Sequence, residues 1–191
     1  MSLPPPHRSR LFLAAIPSEE QRRFLFDLRE QIEAQEGESW ARRWRWVPPE
    51  KWHLTLRFFG EVSKERIPTL KEALQKGLKG VVPFSWTLGG ISGFPRPSAA
   101  RVLFVGIQQG RNHLERLGSE LEKALIPLGF PPEQKPFSPH LTLARAKKGK
   151  IRVPSIDCLS ASTPLKNLHL MESLIPSPQL GYRSVLEIPL Q

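Results

Sequence analysis

Apolar side chains recur at two spacings along the chain, and each spacing predicts a different kind of element. Residues 11–16 form an unbroken apolar run, which is typical of a buried β-strand. From Ser18 onward the apolar residues stand three and four positions apart, which predicts an amphipathic helix. Ser18 and Gln21 have the spacing of a capping box, so we expect this helix to begin after Ser18, and Gly37 is expected to end it.

Strands and helices then follow in an order that repeats. We expect helices at residues 64–78 and 114–125, and strands at residues 52–59, 84–91, 101–107, 140–143, 155–161, 165–173 and 182–188. The order of strand, helix and strands occurs twice. It predicts an α+β fold of two similar, pseudo-symmetric lobes with largely antiparallel sheets.

The length and composition fit one globular domain. A chain of 191 residues can bury a sizeable core, and 39% of its residues are apolar, so we expect residues 1–191 to form a single bilobal domain. Residues 1–9 are the exception, because a run of three prolines followed by basic residues predicts a flexible basic tail.

The net charge of the chain indicates which classes of partner it attracts. It carries 28 Lys and Arg against 18 Asp and Glu, a formal net charge of +10, so it attracts polyanions such as RNA, DNA or an anionic membrane. No apolar run is long enough to span a bilayer or to form a signal peptide, and the single Cys158 excludes an internal disulfide. We therefore expect a cytoplasmic protein that does not enter the membrane, and a monomer without a protein partner.

One short sequence, His-Leu-Thr-Leu, occurs twice, at residues 53–56 and 140–143. As a β-strand, each copy sends its two leucines into a core and places its His and Thr side by side on the other face. One isolated copy would be explained by a half-buried strand. Two copies 87 positions apart (140 minus 53) cannot be one local structure, so they predict two lobes that present equivalent groups to a central cleft.

The candidate chemistry follows from these residue types. An unperturbed histidine titrates near about pH 6.5, so His53 and His140 can divide acid and base work between them at neutral pH. Thr55 and Thr142 can donate hydrogen bonds to phosphate oxygens, and Arg145 adds a bidentate donor for the same group. Together, these five side chains suit the attack of water on a phosphodiester with departure of an alkoxide. The similarity of the two copies leaves both assignments of acid and base open.

Two other uses of the same cleft remain open. A metal site is one, because His is a common ligand, although the partner that recurs beside both copies is a neutral threonine rather than a carboxylate. We expect no metal and no cofactor. A non-catalytic RNA-binding or nucleotide-binding module is the other, although a binder has no need for two imidazoles of opposite protonation state.

Three tryptophans alternate with arginines at residues 40–46. Such a mixture is typical of surfaces that bind single-stranded nucleic acid. An equally simple interpretation is a strand that buries Trp44 and Trp46 while Arg43 and Arg45 face solvent.

Strand alternation also makes predictions for residues that follow the motifs. If the first motif strand alternates without interruption, Arg57 and Phe59 share the face of His53, and Phe58 enters the core. The basic residues at 147–152 extend the positive potential away from the second motif, and a solvated loop is their simplest interpretation.

Beyond the two motifs, short segments over nearly the whole length are similar to a known family. They lie at residues 10–12, 46–52, 58–60, 93–96, 128–130, 135–139, 144–145 and 170–173. Together with the paired motifs they resemble the two-histidine phosphoesterase superfamily, and specifically its RNA 2′,3′-cyclic phosphodiesterase branch, also named 2′-5′ RNA ligase.

The resemblance implies a bilobal α+β fold with a pseudo-twofold cleft and metal-independent hydrolysis. The substrate would be an RNA with a 2′,3′-cyclic phosphate end, or a cyclic nucleotide, and the product a 2′-phosphate. In that scheme His53 gives a proton to the departing 3′ oxygen, and His140 activates water. Thr55, Thr142 and Arg145 hold the phosphate. The reverse reaction, in which a 5′ hydroxyl of RNA replaces water, would give 2′-5′ ligation.

Overall fold

A single antiparallel sheet with helices on one face forms the body of the molecule. The computed structural model describes residues 8–134, 136–156, 160–174 and 181–191. The strands are β1 (Arg8–Ala15), β2 (Trp44–Trp46), β3 (Leu54–Ser63), β4 (Phe84–Phe94), β5 (Val102–Gln109), β6 (His140–Ala146), β7 (Ala161–Leu165), β8 (Asn167–Ser173) and β9 (Tyr182–Pro189). The α-helices are α1 (Glu19–Ala41), α2 (Ile67–Gly77) and α3 (Arg111–Leu125).

The strand order repeats outward from the centre of the sheet. It runs β7-β4-β5-β6-β3-β1-β8-β9, with β2 added beside β6, and every pairing is antiparallel. The two motif strands, β6 and β3, are central neighbours, and β5, β4 and β7 on one side match β1, β8 and β9 on the other. The predicted α+β fold of two antiparallel lobes is confirmed. The lobes differ from the expectation only in that their strands join in one sheet.

The leucines of both motifs lie in the core. They are almost fully buried: Leu54 is 0% exposed, Leu56 5%, Leu141 0% and Leu143 1%. They belong to the same hydrophobic cluster as the apolar faces of the three helices. Because strand side chains alternate, the histidines and threonines between them must face away from the helices.

The first helix begins as the sequence predicts. The Ser18 hydroxyl accepts a hydrogen bond from the Gln21 backbone N–H at 3.2 Å, and the Gln21 side chain accepts one from the Ser18 N–H at 3.1 Å. The predicted end at Gly37 is wrong. Gly37 adopts φ 80° and kinks the chain, but helical structure resumes and continues to Ala41.

The expected flexible tail at residues 1–9 is wrong for Arg8 and Ser9. Both belong to β1 and pair with the end of β3, and Ser9 is only 7% exposed. β3 extends beyond the predicted strand, to Ser63, and its last residues supply backbone hydrogen-bond partners for Arg8 and Ser9. The local sequence around Arg8 gives no sign of this pairing. Residues 1–7 lie outside the described part of the chain.

Two other predictions concern the second half of the chain and the membrane. The strand expected at 155–161 overlaps residues 157–159, which include Cys158 and lie outside the described residues, and β7 begins at Ala161. The described helices include none that is long and apolar enough to cross a membrane.

The capping box of α1 gives a stability prediction. Replacing Ser18 with alanine removes the acceptor for an N-terminal N–H, and we expect a loss of about 1 kcal/mol in the free energy of unfolding, measured by urea denaturation. Ser63 is the matched control, because it also precedes a helical turn but makes no capping bond. Equal losses for Ser18→Ala and Ser63→Ala would contradict the role of the capping box.

Candidate active site

The two motifs meet at the centre of the sheet. β3 and β6 pair at one position, Leu54 opposite Leu141. In this antiparallel register, His53 is opposite Thr142 and Thr55 is opposite His140. All four side chains lie on the face of the sheet opposite to the buried leucines. The four side chains are half-buried and line one cleft of about 1580 Å³. The structure therefore brings together the four residues that the sequence predicts as a site.

Each histidine is held in one orientation by the chain that leads into its strand. His53 Nδ1 lies 2.7 Å from the carbonyl oxygen of Lys51, and His140 Nδ1 lies 2.6 Å from that of Ser138. A carbonyl only accepts, so each Nδ1 must carry the hydrogen. In both rings Nε2 is then the atom that accepts a proton from a reactant, or donates one when the ring is charged.

Aromatic rings enclose each imidazole on two sides. The ring centroids are separated by 4.9 Å for Phe12 and His53, 5.1 Å for Tyr182 and His53, 4.9 Å for Phe94 and His140, and 5.1 Å for Phe104 and His140. The four aromatic residues come from four different strands. Phe12 and Phe104 lie on the equivalent strands β1 and β5, whereas Tyr182 lies on β9 and Phe94 on β4. This packing limits the rotation of both rings and removes water from them.

The surroundings lower the pKa of both catalytic candidates below the usual 6.5. Burial is the main cause for each ring, and the hydrogen bonds to Lys51 and Ser138 only partly oppose it. Arg145 lowers both pKa values further, and His140 also lowers that of His53. Without an anion in the cleft, both imidazoles are mainly neutral at pH 7. A bound phosphodiester would favour protonation of one of them.

Arg145 lies at one end of the cleft, on β6. It is exposed, and it pairs across the sheet with Val102 of β5 and Arg45 of β2. Both neighbours also line the cleft. The structure thus places Arg145 in the same cleft as the two motifs, as the sequence predicts, with a second guanidinium beside it.

The opposite end of the cleft carries a phenylalanine at the equivalent position. Phe58 follows His53 by the same number of residues as Arg145 follows His140. It was expected in the core, but it is 61% exposed and lines the cleft, with its ring 6.0 Å from that of Phe12. Aligning the two motif copies would have shown that the lobes differ here.

Two β-bulges explain why alternation fails after the first motif. Against β1, the pairing of β3 skips Leu56 and then Phe59. Each extra residue shifts the side chains that follow to the other face. Phe59 was expected on the face of His53, but it packs against the core and Phe130, at a centroid distance of 5.5 Å.

Arg57 has a structural role that the sequence did not show. It was expected on the face of His53, but the bulge at Leu56 places it opposite the buried Leu13. It is only 5% exposed and forms ion pairs with Glu122 of α3 at 2.7 Å and Glu133 at 3.1 Å. It also donates a hydrogen bond to the carbonyl of Pro131. Arg57 therefore ties the first motif strand to the segment that leads into the second, which ends with the carbonyl that orients His140.

The tryptophan-rich segment combines a helix end and a strand. Trp44 is 2% exposed and Arg45 is exposed, as the strand interpretation predicts for β2, but Trp46 is only half-buried. Trp40 lies at the end of α1, where its Nε1 donates to the carbonyl of Arg152 at 3.3 Å. Of the three indoles, only that of Trp46 reaches the cleft, with the Arg29 guanidinium 5.0 Å from its ring.

A third histidine, His169, does not line the cleft. His169, on β8, has its Nδ1 3.4 Å from the Ser184 hydroxyl of β9. Among the residues that the structure describes, no three His, Cys, Asp or Glu side chains converge as a metal site would require.

Comparisons with known proteins identify the family. The sequence model of the family described as LigT like Phosphoesterase matches residues 16–104 and 105–163, which together span most of the chain. The chain belongs to the LigT-like phosphoesterases. The resemblance of the sequence to two-histidine phosphoesterases is thereby confirmed.

Individual LigT-like relatives extend over most of both chains. A protein of Thermus thermophilus named RNA 2′,3′-cyclic phosphodiesterase is 36% identical over 182 residues, covering 93% of this chain and 88% of that protein. One of the same name from Aeropyrum pernix is 33% identical over 150 residues, covering 74% and 84%. A crystal structure of a Thermus thermophilus protein superimposes with a TM-score of 0.81 at 29% identity, covering 95% of this chain and 97% of that one.

The pKa shifts of this LigT-like phosphoesterase can be measured without a substrate. In an NMR titration of the imidazole signals, we expect both His53 and His140 to have midpoints below 6.5. Arg145→Gln removes a positive charge that lowers both pKa values, so both midpoints should rise. Arg145→Lys keeps the charge and should leave them nearly unchanged. If the titration midpoints do not change with the charge at position 145, this electrostatic account is contradicted.

Arg57 gives a second prediction for the site. Arg57→Met leaves Glu122 and Glu133 without their cation, and we expect a loss of about 2 kcal/mol or more in the free energy of unfolding, measured with urea. Arg183→Met is the control, because Arg183 pairs with Glu172 at the surface and should cost less than about 1 kcal/mol. If the two variants unfold at the same urea concentration, the buried anchor does not stabilise the cleft.

Proposed function

We propose that this LigT-like phosphoesterase hydrolyses the 2′,3′-cyclic phosphate at the end of an RNA to a 2′-phosphate, without a metal. One observation carries the proposal: two imidazoles with fixed Nδ1–H groups lie on paired strands and present Nε2 to one cleft, each across from a threonine hydroxyl. The names of the Thermus and Aeropyrum relatives support the substrate class.

The reaction needs one proton taken and one proton given. His140 Nε2 removes a proton from water as the water oxygen forms a bond to phosphorus. The bond from phosphorus to the 3′ oxygen breaks, and protonated His53 gives its Nε2 proton to that oxygen. The product has a 2′-phosphate and a 3′ hydroxyl. The two rings end with their protonation states exchanged, and proton exchange with solvent restores them.

The remaining residues stabilise the charge on the phosphate. Negative charge on the non-bridging oxygens increases as water attacks, and the hydroxyls of Thr55 and Thr142 can donate hydrogen bonds to them. The Arg145 guanidinium can donate two more in a planar arrangement that matches two phosphate oxygens. In this scheme its charge also couples substrate binding to proton transfer, because the bound anion offsets the effect of Arg145 on the pKa of both imidazoles.

The geometry also allows the reverse reaction. If the 5′ hydroxyl of a second RNA takes the place of water, the same acid and base join the two chains through a 2′-5′ linkage. We further propose that the protein acts as a monomer in the cytoplasm, as its sequence predicts.

Loss of either histidine should abolish turnover. With a short RNA that ends in a 2′,3′-cyclic phosphate, in the presence of a chelator, we expect wild type to yield the 2′-phosphate. His53→Ala and His140→Ala should each lower kcat by roughly a thousandfold. His169→Ala is the matched control and should retain activity, because His169 lies on β8 beside Ser184. RNA binding without turnover by wild type would instead favour a non-catalytic binding module.

A modified substrate separates the acid from the base. When sulfur replaces the 3′ bridging oxygen, the leaving group departs as a thiolate and needs no proton. His53→Ala should then regain most of its activity, and His140→Ala should not. Rescue of His140→Ala instead would exchange the two roles.

A further inference from the structure

A continuous basic surface begins at the Arg145 end of the cleft and extends over the outside of the lobe. We define the basic surface by its exposed cationic residues: Arg43, Arg45, Arg101, Lys147, Lys148, Lys150 and Arg152. We propose that it binds the ribonucleotide chain on the 5′ side of the terminal cyclic phosphate. The enzyme would then act on polynucleotide ends in preference to free cyclic mononucleotides. This inference rests on the proposed function and adds the path of the RNA to it.

Backbone contacts make the basic surface one continuous patch. Arg45 pairs with Arg145 in the sheet. The N–H of Lys147 donates to the carbonyl of Arg43 at 2.9 Å, and that of Ala146 donates to the carbonyl of Arg101 at 2.9 Å. Three chain segments, distant in sequence, therefore place their basic residues side by side.

The loop after β6 is fixed to the same segments. The guanidinium of Arg43 donates to the carbonyl of Lys150 at 3.3 Å, and the indole of Trp40 donates to the carbonyl of Arg152. The adjoining Ile151 pairs with Ala100 in an isolated bridge. The loop was expected to be a solvated basic loop, and its basic side chains are exposed, but Ile151 is buried and the backbone is anchored beside the cleft.

The cations of the basic surface lack acidic partners. Within the described ranges, none of its seven side chains forms an ion pair. By contrast, surface residues such as Arg29, Arg42, Arg111 and Arg183 each pair with a glutamate. A patch of like charges is held together at an electrostatic cost that a bound polyanion relieves. The backbone phosphates of RNA supply such a polyanion, and their contacts depend little on base sequence.

The other end of the cleft carries carboxylates as well as cations. Glu115, Glu122 and Glu133 line it. Arg57 is shared between two of these carboxylates, and the third pairs with Arg111. The cleft therefore has a cationic end and an end where three carboxylates lie among cations such as Arg10 and Arg57. An RNA whose terminal phosphate lies between the histidines is directed toward the cationic end.

The chemistry of the substrate determines which part of the RNA occupies the basic surface. In a terminal nucleotide with a 2′,3′-cyclic phosphate, the 2′ oxygen and the 3′ oxygen are both bonded to the phosphorus of the cyclic phosphate. The chain can continue only through the 5′ oxygen, so all other phosphates of the RNA lie on that side. A cyclic mononucleotide with a free 5′ hydroxyl has none of them and gains nothing from the basic surface.

A comparison of two substrates tests whether the RNA chain lies on the basic surface. The variant is Lys148→Glu combined with Lys150→Glu, since neither side chain is part of the proposed machinery for the cyclic phosphate. On a ten-nucleotide RNA ending in a 2′,3′-cyclic phosphate, we expect kcat/KM to fall at least tenfold. On cytidine 2′,3′-cyclic phosphate, kcat/KM should stay within twofold of wild type.

The matched control changes the same charge elsewhere. Lys76 and Lys79 are exposed near the end of α2, and reversing both should leave kcat/KM unchanged on either substrate. Salt gives an independent readout. For wild type, kcat/KM on the RNA should fall more steeply with salt than on the mononucleotide, and the slope should decrease by about 0.7 for each phosphate contact that the variant loses.

The outcomes separate this inference from the proposed function. No turnover of either substrate by wild type would refute the proposed function. Turnover of both with equal salt dependence, or an equal effect of the two charge-reversal variants on the RNA, would overturn the RNA path alone. Loss of binding to phosphatidylserine vesicles in the Lys148→Glu, Lys150→Glu variant, with unchanged RNA kinetics, would assign the basic surface to a membrane instead.

Discussion

The geometry of the site is built on the pairing of Leu54 with Leu141. Both side chains are fully buried, and truncating a buried leucine typically costs about 2–5 kcal/mol. A shift of the register by one residue would expose the leucines and bury the histidines, so core packing fixes the position of the catalytic candidates. The stability of the sheet and the shape of the cleft thus rely on the same contact.

Burial has two opposing effects on the imidazoles. The aromatic enclosures and the carbonyls of Lys51 and Ser138 fix both rings, but the loss of water lowers both pKa values. Arg145 strengthens this effect, although its charge is what a phosphate requires. In the proposed complex with substrate, the bound anion compensates Arg145 and favours a proton on one ring. In that proposal, binding of the substrate also activates the acid.

The pseudo-twofold symmetry includes the groups that we propose transfer protons, but not the residues that follow them in each motif strand. His, Thr and the flanking leucines are equivalent in the two lobes, as the proposed acid and base on opposite sides of one phosphorus require. Phe58 and Arg145 differ at equivalent positions, and so do Arg57 and Ala144. These differences give the cleft a cationic end and a partly acidic end. An RNA strand has a 5′ to 3′ direction, so a site that binds it in one orientation needs two unlike ends.

Local patterns in the sequence were sufficient to predict the α+β class, the start of the first helix and the faces of both motifs. These features depend on alternation and capping within short segments, where neighbours in sequence are neighbours in space. The bulges after Leu56 and Phe59, the start of β1 at Arg8, and the ion pairs of Arg57 with distant glutamates became visible only in the folded chain. The same holds for the aromatic rings that enclose each histidine. All of these depend on strand pairing and packing between residues far apart in the chain, and local periodicity carries no information about such contacts.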